Sequence, residues 1–483
     1  MGPKLLGNVV AELNDLLRGG IVSKIHQPSE RVIVLKIFAR GKEERLLISA
    51  EPKFPRMHLL TGDYDITNPP APLRFCAFLR SRITNALIEG ITHAGGERIA
   101  SVILKKKTDS TVSTLALVCE LTGKSSNIIL IDEKRVVLDA IRYFPPGSSV
   151  RAVMPGVSLT PLPKADVKEA EEGVGKGDGS WNGAAFRHYS ALAYADALTS
   201  LRATLRRAVN EAHKKAERKL ANLIGDRKRA EAEREHGKLG ELLVANLRAI
   251  ERGAREAAAT DYTKVPPETV IVRLDEKLGP KENADRYFKR AKKAKVALSL
   301  LKDRIPLVEE EISYIGSLLY ELEAAGTIED LRDIETELVA GKYLRKAPES
   351  GKASAEVRAE PIRRFTSSEG FEILCGKSGL GNDLIVRKYA KEGDVWLHAA
   401  SVPGSHVLVK SAGMKNRLTD ATVREAARIA AWYSKSRGET KAEVVYTEAK
   451  NVRKKGSKPG SVTLREYKTM AVTPGLPEEG EKA

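Results

Sequence analysis

The alternation of hydrophobic and polar residues predicts a mixed α/β domain over residues 1–165. A helix with Val9, Leu13, Leu16 and Leu17 on one face is expected to end at the glycine pair 19–20. Short apolar runs then predict strands, and a further glycine pair at 95–96 is typical of a hairpin. We therefore expect a twisted antiparallel sheet with a few helices. Its predicted strands are residues 21–25, 31–38, 45–49, 87–92, 99–105, 114–120 and 127–131.

The clearest pattern in the chain is a heptad repeat, which is typical of a coiled coil. Apolar residues alternate at spacings of four and three through Ala294, Leu298, Leu301, Ile305, Val308, Ile312, Ile315, Leu319 and Leu322. A similar pattern over residues 190–238 provides a second arm. We expect an antiparallel pair over residues 186–345 with a small tip subdomain around 240–282, and a compact helical bundle is the alternative. Pro306 is expected to kink the returning arm.

Two segments read as linkers between domains. The glycine-rich stretch 166–185 and the polar stretch 346–360 lack hydrophobic periodicity. Between the second linker and the C-terminus, residues 361–473 alternate strand patterns with one helix at 422–436. The last residues, 474–483, are expected to be disordered. The whole chain is thus predicted to be an α+β multidomain protein.

The charge of the chain points to a polyanionic partner. Its 483 residues carry a net charge of +17, and residues 401–470 hold 15 Lys or Arg against 6 Asp or Glu. Nucleic acid is the usual partner of such a chain, and a merely solubilising surface is the alternative. With 42% hydrophobic residues the chain is too apolar for general disorder.

Other features restrict the setting. We expect no membrane partner, because no run approaches the roughly 18 apolar residues of a membrane span. The N-terminal segment lacks the features of an export signal. Cys76, Cys119 and Cys375 are too far apart in sequence to suggest a disulfide framework or a zinc site. A reducing cytoplasmic setting is the natural expectation.

Two short motifs invite a chemical interpretation. Gly123-Lys124-Ser125 resembles the end of a phosphate-binding loop, but Val118 occupies the position of the first glycine, so a strand–turn–strand is expected. His398 and His406 flank the run WLHAASVPGSH. Their spacing does not suit a zinc pair, which leaves structural packing or an RNA surface as interpretations.

A basic segment precedes the last strands. KNVRKKGSKPG holds five cations within nine residues: Lys450, Arg453, Lys454, Lys455 and Lys458. Such a loop can contact phosphates, and a solvated loop is the alternative. No catalytic triad, redox cysteine pair or acid/base carboxylate pair stands out, so we expect neither an enzyme nor a cofactor.

Several strings together carry a family resemblance. The C-terminal domain contains WLHAASVPGSH, the helical region GELLVANL and PKENADRYFKR, and the N-terminal domain GGIVSKIHQP, FCAFLR and GKSSNIIL. In this order they resemble the NFACT family over nearly the whole chain.

The resemblance implies a fold and a function. It implies an N-terminal domain like that of formamidopyrimidine DNA glycosylases, a long coiled coil with a tip, and a C-terminal RNA-binding NFACT-R domain. Family members bind large ribosomal subunits left with peptidyl-tRNA after a stalled ribosome splits. Bacterial members recruit alanyl-tRNA and promote template-free alanine addition to the nascent chain. The ribosome supplies peptidyl transfer, so the resemblance implies a cytoplasmic tRNA- and rRNA-binding factor rather than an enzyme.

The same resemblance implies site residues. The Asp-Arg pair that recruits tRNA in the family is matched by Glu97-Arg98, at a hairpin turn expected to expose both side chains. The usual Gly-Arg-Asn of the C-terminal domain is Gly376-Lys377-Ser378. The helix-hairpin-helix domain usual in the family is replaced by the stretch 166–185. The implied RNA-binding residues are Lys377, Asn382, Asp383, His398, His406, Lys450, Arg453, Lys454, Lys455 and Lys458.

Three alternatives differ in class. A glycosylase-type enzyme is disfavoured because the chain begins Met1-Gly2-Pro3-Lys4 and lacks the N-terminal proline nucleophile and following glutamate. A surface adhesin that binds fibronectin would require export. A general RNA-binding protein without tailing activity is the third.

Overall fold

The computed structural model describes residues 1–62, 66, 68–107, 111–149, 151–163, 173–176, 179–345, 360–411, 418–456 and 458–477. These residues form two compact units, one within residues 1–199 and the other from residue 200 onward. The boundary falls inside a single long helix. The predicted linker 346–360, except its last residue, and the final residues 478–483 lie outside the described part of the chain.

The first unit is built on a nine-stranded antiparallel sheet. Its order is β4-β3-β2-β1-β5-β6-β7-β8-β9, two meanders that join through β1 and β5. The strands are β1 (Ile21–Ser29), β2 (Val32–Ala39), β3 (Lys42–Ser49), β4 (Arg56–Leu59), β5 (Leu87–His93), β6 (Ile99–Lys107), β7 (Val112–Glu120), β8 (Asn127–Asp132) and β9 (Val137–Ala140). All seven predicted strands are confirmed. The sequence missed β4 and β9, each only four residues long.

Two helices pack against this sheet. In α1 (Pro3–Leu17) the residues Val9, Leu13 and Leu17 are fully buried, while Leu16, predicted on the same face, is 38% exposed. The second helix is α2 (Arg74–Ile83). Gly20 follows α1 at a close approach, because a Cβ there would lie 2.9 Å from the side chains of Ala39 and Ile37. The predicted stop at the glycine pair is confirmed.

The Gly123-Lys124-Ser125 motif forms one short 3-10 turn between β7 and β8. The amide of Gly123 donates to Ser126 Oγ at 2.8 Å, so the turn is closed by its own hydroxyl. The strand–turn–strand prediction is confirmed.

A buried histidine in the first unit makes its stability depend on pH. His58 on β4 is 1% exposed, and its ring packs edge-on against Phe186. Burial, with a further contribution from Arg56, lowers the pKa of His58 to about 4. In the unfolded chain the His58 imidazole binds a proton near pH 6.5, whereas in the folded unit it stays neutral until the pH approaches 4. The contribution of neutral His58 to the stability of the folded unit is therefore fully present above pH 6.5 and is lost as the pH falls toward 4.

We expect urea unfolding at pH 4.5 to show a loss of up to about 3 kcal/mol relative to pH 7 from this residue. His58→Gln should remove that share of the pH dependence. His188→Gln, at a partly exposed position of the same unit, should not change it. Equal pH dependence in the two variants would contradict the assignment.

Two long helices, α3 (Trp181–Arg234) and α5 (Pro280–Ala324), run antiparallel. Arg202 Nε donates to the carbonyl of Leu322 at 3.1 Å, and at the far end Arg290 pairs with Glu233 at 2.6 Å. The predicted antiparallel arms are confirmed. α5 continues through Pro306 without a break in its helix.

Six of the nine predicted heptad residues are buried in the seam of these arms, and Leu298, Ile312 and Leu319 are only partly buried. On α5 the seam residues Ala294, Leu301, Ile305, Val308, Ile315 and Leu322 are buried, and on α3 so are Leu205, Val209 and Ala216. α3 begins at Trp181, which corrects the predicted linker 166–185 at its C-terminal end, because Glu12 accepts the amides of Trp181 and Asn182 and so caps the helix. Most of the rest of that linker lies outside the described residues.

A small tip subdomain joins the arms, as predicted. It contains α4 (His236–Ala245) and a hairpin of β10 (Glu256–Asp261) and β11 (Glu268–Arg273). Leu243, Ala259 and Val272 form its core with Tyr287 of α5. After the returning arm comes α6 (Ile328–Ala340), which the sequence did not separate from the coiled coil.

The C-terminal domain is a six-stranded antiparallel sheet of order β12-β13-β15-β14-β16-β19. α8 covers one face, and Trp396 belongs to the core on the other. Its elements are β12 (Ile362–Thr366), β13 (Glu372–Gly376), α7 (Gly379–Leu384), β14 (Val395–Ala399), β15 (Val407–Val409), α8 (Asp420–Trp432), β16 (Ala442–Glu448), β17 (Val452–Lys454), β18 (Val462–Leu464) and β19 (Lys468–Val472). In the described parts of the chain, no helix is both long and apolar enough to cross a membrane.

Candidate nucleic-acid interface

The Glu97-Arg98 pair lies at the turn between β5 and β6, as predicted. The amide of Glu97 donates to the carbonyl of Ala94 at 3.0 Å, and His93 Nε2 lies 2.7 Å from the carbonyl of Glu97. Gly96 provides the positive φ of 75° that closes the turn. These backbone hydrogen bonds therefore fix the positions of the Cα atoms of Glu97 and Arg98.

The expectation that the turn exposes both side chains is wrong. Glu97 and Arg98 are each half-buried. The carbonyl of Arg98 accepts the amide of Leu121, which ties the turn to the end of β7. Arg98 Nε is buried and has no hydrogen-bond partner among the described residues. Over the same residues no ion pair joins Glu97 to Arg98, so the pair is not a local surface salt bridge.

Glu97 lies near a second acid, Glu120. Glu120, at the end of β7, is buried and pairs with Arg151. Burial raises the pKa of Glu120, Arg151 opposes that rise, and the Glu97 carboxylate adds to it. An arginine with an unpartnered nitrogen beside such acids suits a ligand with both acceptor and donor groups, such as an RNA base.

In the C-terminal domain, Asn382 is a structural residue. Its Oδ1 accepts the amide of His406 at 2.8 Å, and its Nδ2 donates to the carbonyl of Gly404 at 3.4 Å. Asn382 is 5% exposed, and a Cβ on Gly376 would lie 2.2 Å from its Oδ1. The side chain therefore holds the segment 404–406 against α7.

Lys377 and Asp383 are engaged in ion pairs within the second unit. Lys377 Nζ lies 3.7 Å from Asp330 of α6. Asp383 pairs with Lys454 at 2.8 Å and with Arg387 at 3.4 Å. Both positions therefore contribute to internal packing of this unit.

His398 and His406 form an aromatic cluster with Trp396. The rings of Trp396 and His398 are nearly parallel, with centroids 5.9 Å apart, and the His406 ring stands edge-on to both at 4.9 and 5.3 Å. Burial lowers the pKa of both histidines. Both rings are therefore neutral near pH 7, which removes them as phosphate-binding cations.

The basic loop is only partly free to meet phosphate. Lys450 pairs with Glu448 at 2.8 Å, and Lys455 lies 3.8 Å from Glu310 of α5. Lys458 Nζ donates to the Tyr343 hydroxyl at 2.5 Å and lies over the rings of Tyr314 and Tyr343. The exposed Arg453 has no ion pair with the described residues. The structure therefore matches neither prediction in full: the loop is not entirely solvated, and not all five of its cations are free to contact phosphate.

The sequence missed an acid–tyrosine cluster on the arms. The Tyr314 hydroxyl donates to Glu337 at 2.6 Å, and the same carboxylate accepts the amide of Leu380 at 3.0 Å. Burial and the neighbouring Glu337 carboxyl raise the pKa of Glu321 in the same cluster. The signal lay in α5, where Tyr314 and Leu318 are buried outside the heptad positions. A second buried face on one arm indicates that another element packs there.

A cleft of about 1010 Å³ opens between α5 and the Trp396 face of the sheet. It is lined on one side by Glu309, Glu310 and Glu321 and on the other by Trp396, His398, His406 and the segment 459–462. In the residues that the structure describes, no group of three or more His, Cys, Asp or Glu side chains is arranged to hold a metal ion. Its lining is concave and combines aromatic rings with polar and acidic side chains.

Together, the long helical arms, the sheet domains and the cationic C-terminal region define a multidomain α+β protein. Residues 4–173 and 176–356 match the model of the NFACT N-terminal and middle domains, and residues 362–466 match the NFACT protein RNA binding domain. The chain belongs to the NFACT family.

Curated relatives are similar along the whole chain. The protein named Rqc2 homolog RqcH from Bacillus subtilis (strain 168) is 30% identical over 555 residues, covering 96% of each chain. Its namesake from Streptococcus suis (strain 05ZYH33) is 30% identical and covers 97% of each. An alignment longer than this 483-residue chain shows that the first relative carries segments absent here.

Solved structures are similar in parts. The C-terminal part of the fibronectin/fibrinogen-binding protein from Streptococcus suis is 28% identical, covers 58% of this chain and 96% of that one, and has a TM-score of 0.44. The N-terminal part of the same protein is 33% identical, covers 34% of this chain and 62% of that one, and has a TM-score of 0.33.

Proposed function

We propose that the chain is a cytoplasmic ribosome-associated quality-control factor. In this proposal it binds large ribosomal subunits that carry peptidyl-tRNA, recruits alanine-accepting tRNA and promotes template-free extension of the nascent chain. The ribosome supplies peptidyl transfer, and the chain supplies binding and positioning. The observation that carries the proposal is the similarity to RqcH proteins over 96% of both chains.

Two features of the chain support it. The net charge of +17 suits a partner made of RNA. The turn at Glu97-Arg98 presents an arginine whose Nε lacks a partner within the described residues. In this proposal Glu97 and Arg98 contact tRNA, while Arg453 and the cleft beside Trp396 contact RNA through the C-terminal domain.

Affinity purification of the tagged full chain from cells tests this function directly. Sequencing of the bound RNA and mass spectrometry of the bound proteins should recover large-subunit rRNA and proteins together with one enriched tRNA. Large subunits without an enriched tRNA would leave an RNA-binding protein without tailing activity. Recovery of neither would overturn the proposal.

The basic loop yields a further expected result. Arg453→Ala combined with Lys455→Ala should weaken binding to single-stranded RNA and flatten its salt dependence, because each lost phosphate contact lowers the log–log slope by about 0.7. The slope is measured by fluorescence anisotropy across a salt series. Lys441→Ala, at an exposed cation just before β16, is the control. A slope unchanged in the double variant would remove the loop from the interface.

A further inference from the structure

The cleft beside Trp396 collects the unsatisfied polar atoms of the second unit. Among its described residues, four buried side-chain atoms have no hydrogen-bond partner: Trp396 Nε1, His406 Nδ1, Glu310 Oε1 and Glu321 Oε2. Of these, Glu310 Oε1 forms an ion pair with Lys455 Nζ at 3.8 Å. All four residues line this one cleft. Trp396 is 2% exposed and His406 is 3% exposed, so neither side chain has bulk water to bond with.

Such a concentration calls for an occupant. Buried polar atoms are almost always hydrogen-bonded, and an unpaired one costs free energy. Asn382 fixes the backbone around His406 by bonding its amide and the carbonyl of Gly404. The rings of Trp396 and His398 pack against the His406 ring and hold its orientation. The site is therefore built with its hydrogen-bonding atoms in place before a ligand enters.

Burial shifts the ionisable side chains of the cleft floor toward their neutral forms. Burial lowers the pKa of His398 and His406, and for His406 the neighbouring His398 lowers it further. Burial and the nearby Glu337 carboxylate raise the pKa of Glu321 well above its ordinary value. A floor of uncharged imidazole rings, beside a buried acid whose pKa is raised, offers little to hold a phosphate or a metal cation. It suits a neutral planar group with donors and acceptors at its edge.

We propose that this cleft takes an unpaired base of single-stranded RNA. The half-buried His398 ring, parallel to Trp396, provides a surface for stacking. Trp396 Nε1 donates to an edge acceptor of the base, and His406 Nδ1 and Glu321 Oε2 complete the edge contacts. This inference rests on the proposed function, which supplies the RNA. It adds that the cleft recognises an unpaired base rather than the phosphate backbone.

The charges around the cleft favour entry of an RNA base and disfavour entry of the RNA backbone. Glu309, Glu310 and Glu443 line it and repel phosphate from its interior. Lys455 also lines the cleft, and Arg453 lies two residues before it in the same loop. The sugar-phosphate chain thus follows the basic loop while one base enters. A base held in a duplex cannot enter without unpairing, so duplex RNA is excluded.

The test uses the full chain and three RNA probes of equal length: oligocytidylate, the same backbone with abasic residues, and a duplex. Anisotropy should show the oligocytidylate binding about tenfold tighter than the abasic backbone, because stacking of one base contributes on that order. The salt slopes of these two single strands should be equal, since their phosphates are the same.

Substitutions in the cleft then test whether the base binds beside Trp396 and His398. Trp396→Phe, which keeps the ring and removes the donor, and His398→Ala, which removes the stacking surface, should each weaken oligocytidylate binding about fivefold or more without changing the salt slope. His398→Phe should restore most of the binding. Trp432→Phe, at the other tryptophan of this domain, on α8 and stacked under Arg437, should leave binding unchanged.

A further measurement follows base binding in the wild-type chain. In protein labelled with fluorotryptophan, the Trp396 resonance, assigned as the one missing in Trp396→Phe, should shift on addition of oligocytidylate and stay in place with the abasic backbone. Equal affinity for both single strands, or an unmoved resonance, would overturn the base site. Co-sedimentation of the wild-type chain with large subunits is scored separately, so the proposed function can stand if the cleft proves empty of RNA.

Discussion

Arg98→Ala should abolish co-purification of tRNA and C-terminal tailing of stalled nascent chains. Arg98 lies at a turn that backbone hydrogen bonds hold in place. Its buried Nε has no hydrogen-bond partner within the described residues and is therefore available to a ligand. A guanidinium in this state can grip phosphate or read a base edge. Removing it takes away the contact and leaves the turn in place. Northern blotting of the purified complex measures the tRNA, and gel mobility of a stalled reporter measures tailing.

Folding should be nearly unaffected by this substitution. Truncation of an unpaired donor breaks no hydrogen bond, and the cost of leaving a buried donor unsatisfied disappears with it. Thermal melting of Arg98→Ala should therefore match the wild type within a few degrees. Lys107→Ala is the matched control, because Lys107 is an exposed cation at the other end of β6, about 30 Å along the strand from Arg98.

Glu97→Asp separates the two side chains of the pair. Aspartate is the acid that the family resemblance places here, so this variant should keep or improve tailing. Large-subunit binding should persist in both variants. If Arg98→Ala retains the same tRNA at wild-type yield, the tRNA site is not at this turn, and the C-terminal domain becomes the place to look.

Local periodicity accounts for what the sequence could predict. The β5–β6 hairpin, the paired arms and the tip each follow from residues close together in the chain, where alternation or heptad spacing specifies one buried face. The glycine pair 19–20 marked the end of α1 through its own sequence, because glycine is the usual stop signal of a helix. The fold adds a contact that the sequence did not show: Gly20 has no room for a side chain against Ile37 and Ala39.

Contacts between distant segments account for what the sequence could not predict. The five cations of the basic loop suggested free phosphate ligands, yet Lys454 pairs with Asp383, some seventy residues earlier, and Lys458 with Tyr343. Nothing in the loop's own sequence specifies those partners. Likewise, WLHAASVPGSH showed two histidines with unsuitable metal spacing, but only the fold shows that Trp396 and His406 share an unsatisfied cleft.

The antiparallel arms lead to the other large expected effect. Leu205 of α3 is fully buried in the seam, near the point where Arg202 and Arg206 reach Leu322 and Glu323 of α5. Leu205→Asp places a carboxylate in this seam, which loses the apolar contact and buries a charge without a partner. We expect a loss of about 3 kcal/mol or more in stability of the arms, seen as reduced helical circular dichroism and an earlier melting transition.

Ala203→Asp is the matched control, because Ala203 lies two residues away on the exposed side of the same helix. The helix propensity of aspartate costs well under about 1 kcal/mol there, so this variant should melt close to the wild type. Large-subunit co-sedimentation should weaken for Leu205→Asp and persist for Ala203→Asp, if the arms take part in the proposed binding to the subunit. Identical melting curves for the two variants would mean that the arms do not depend on this seam, and a melted Leu205→Asp that still sediments with large subunits would mean that binding does not require the arms.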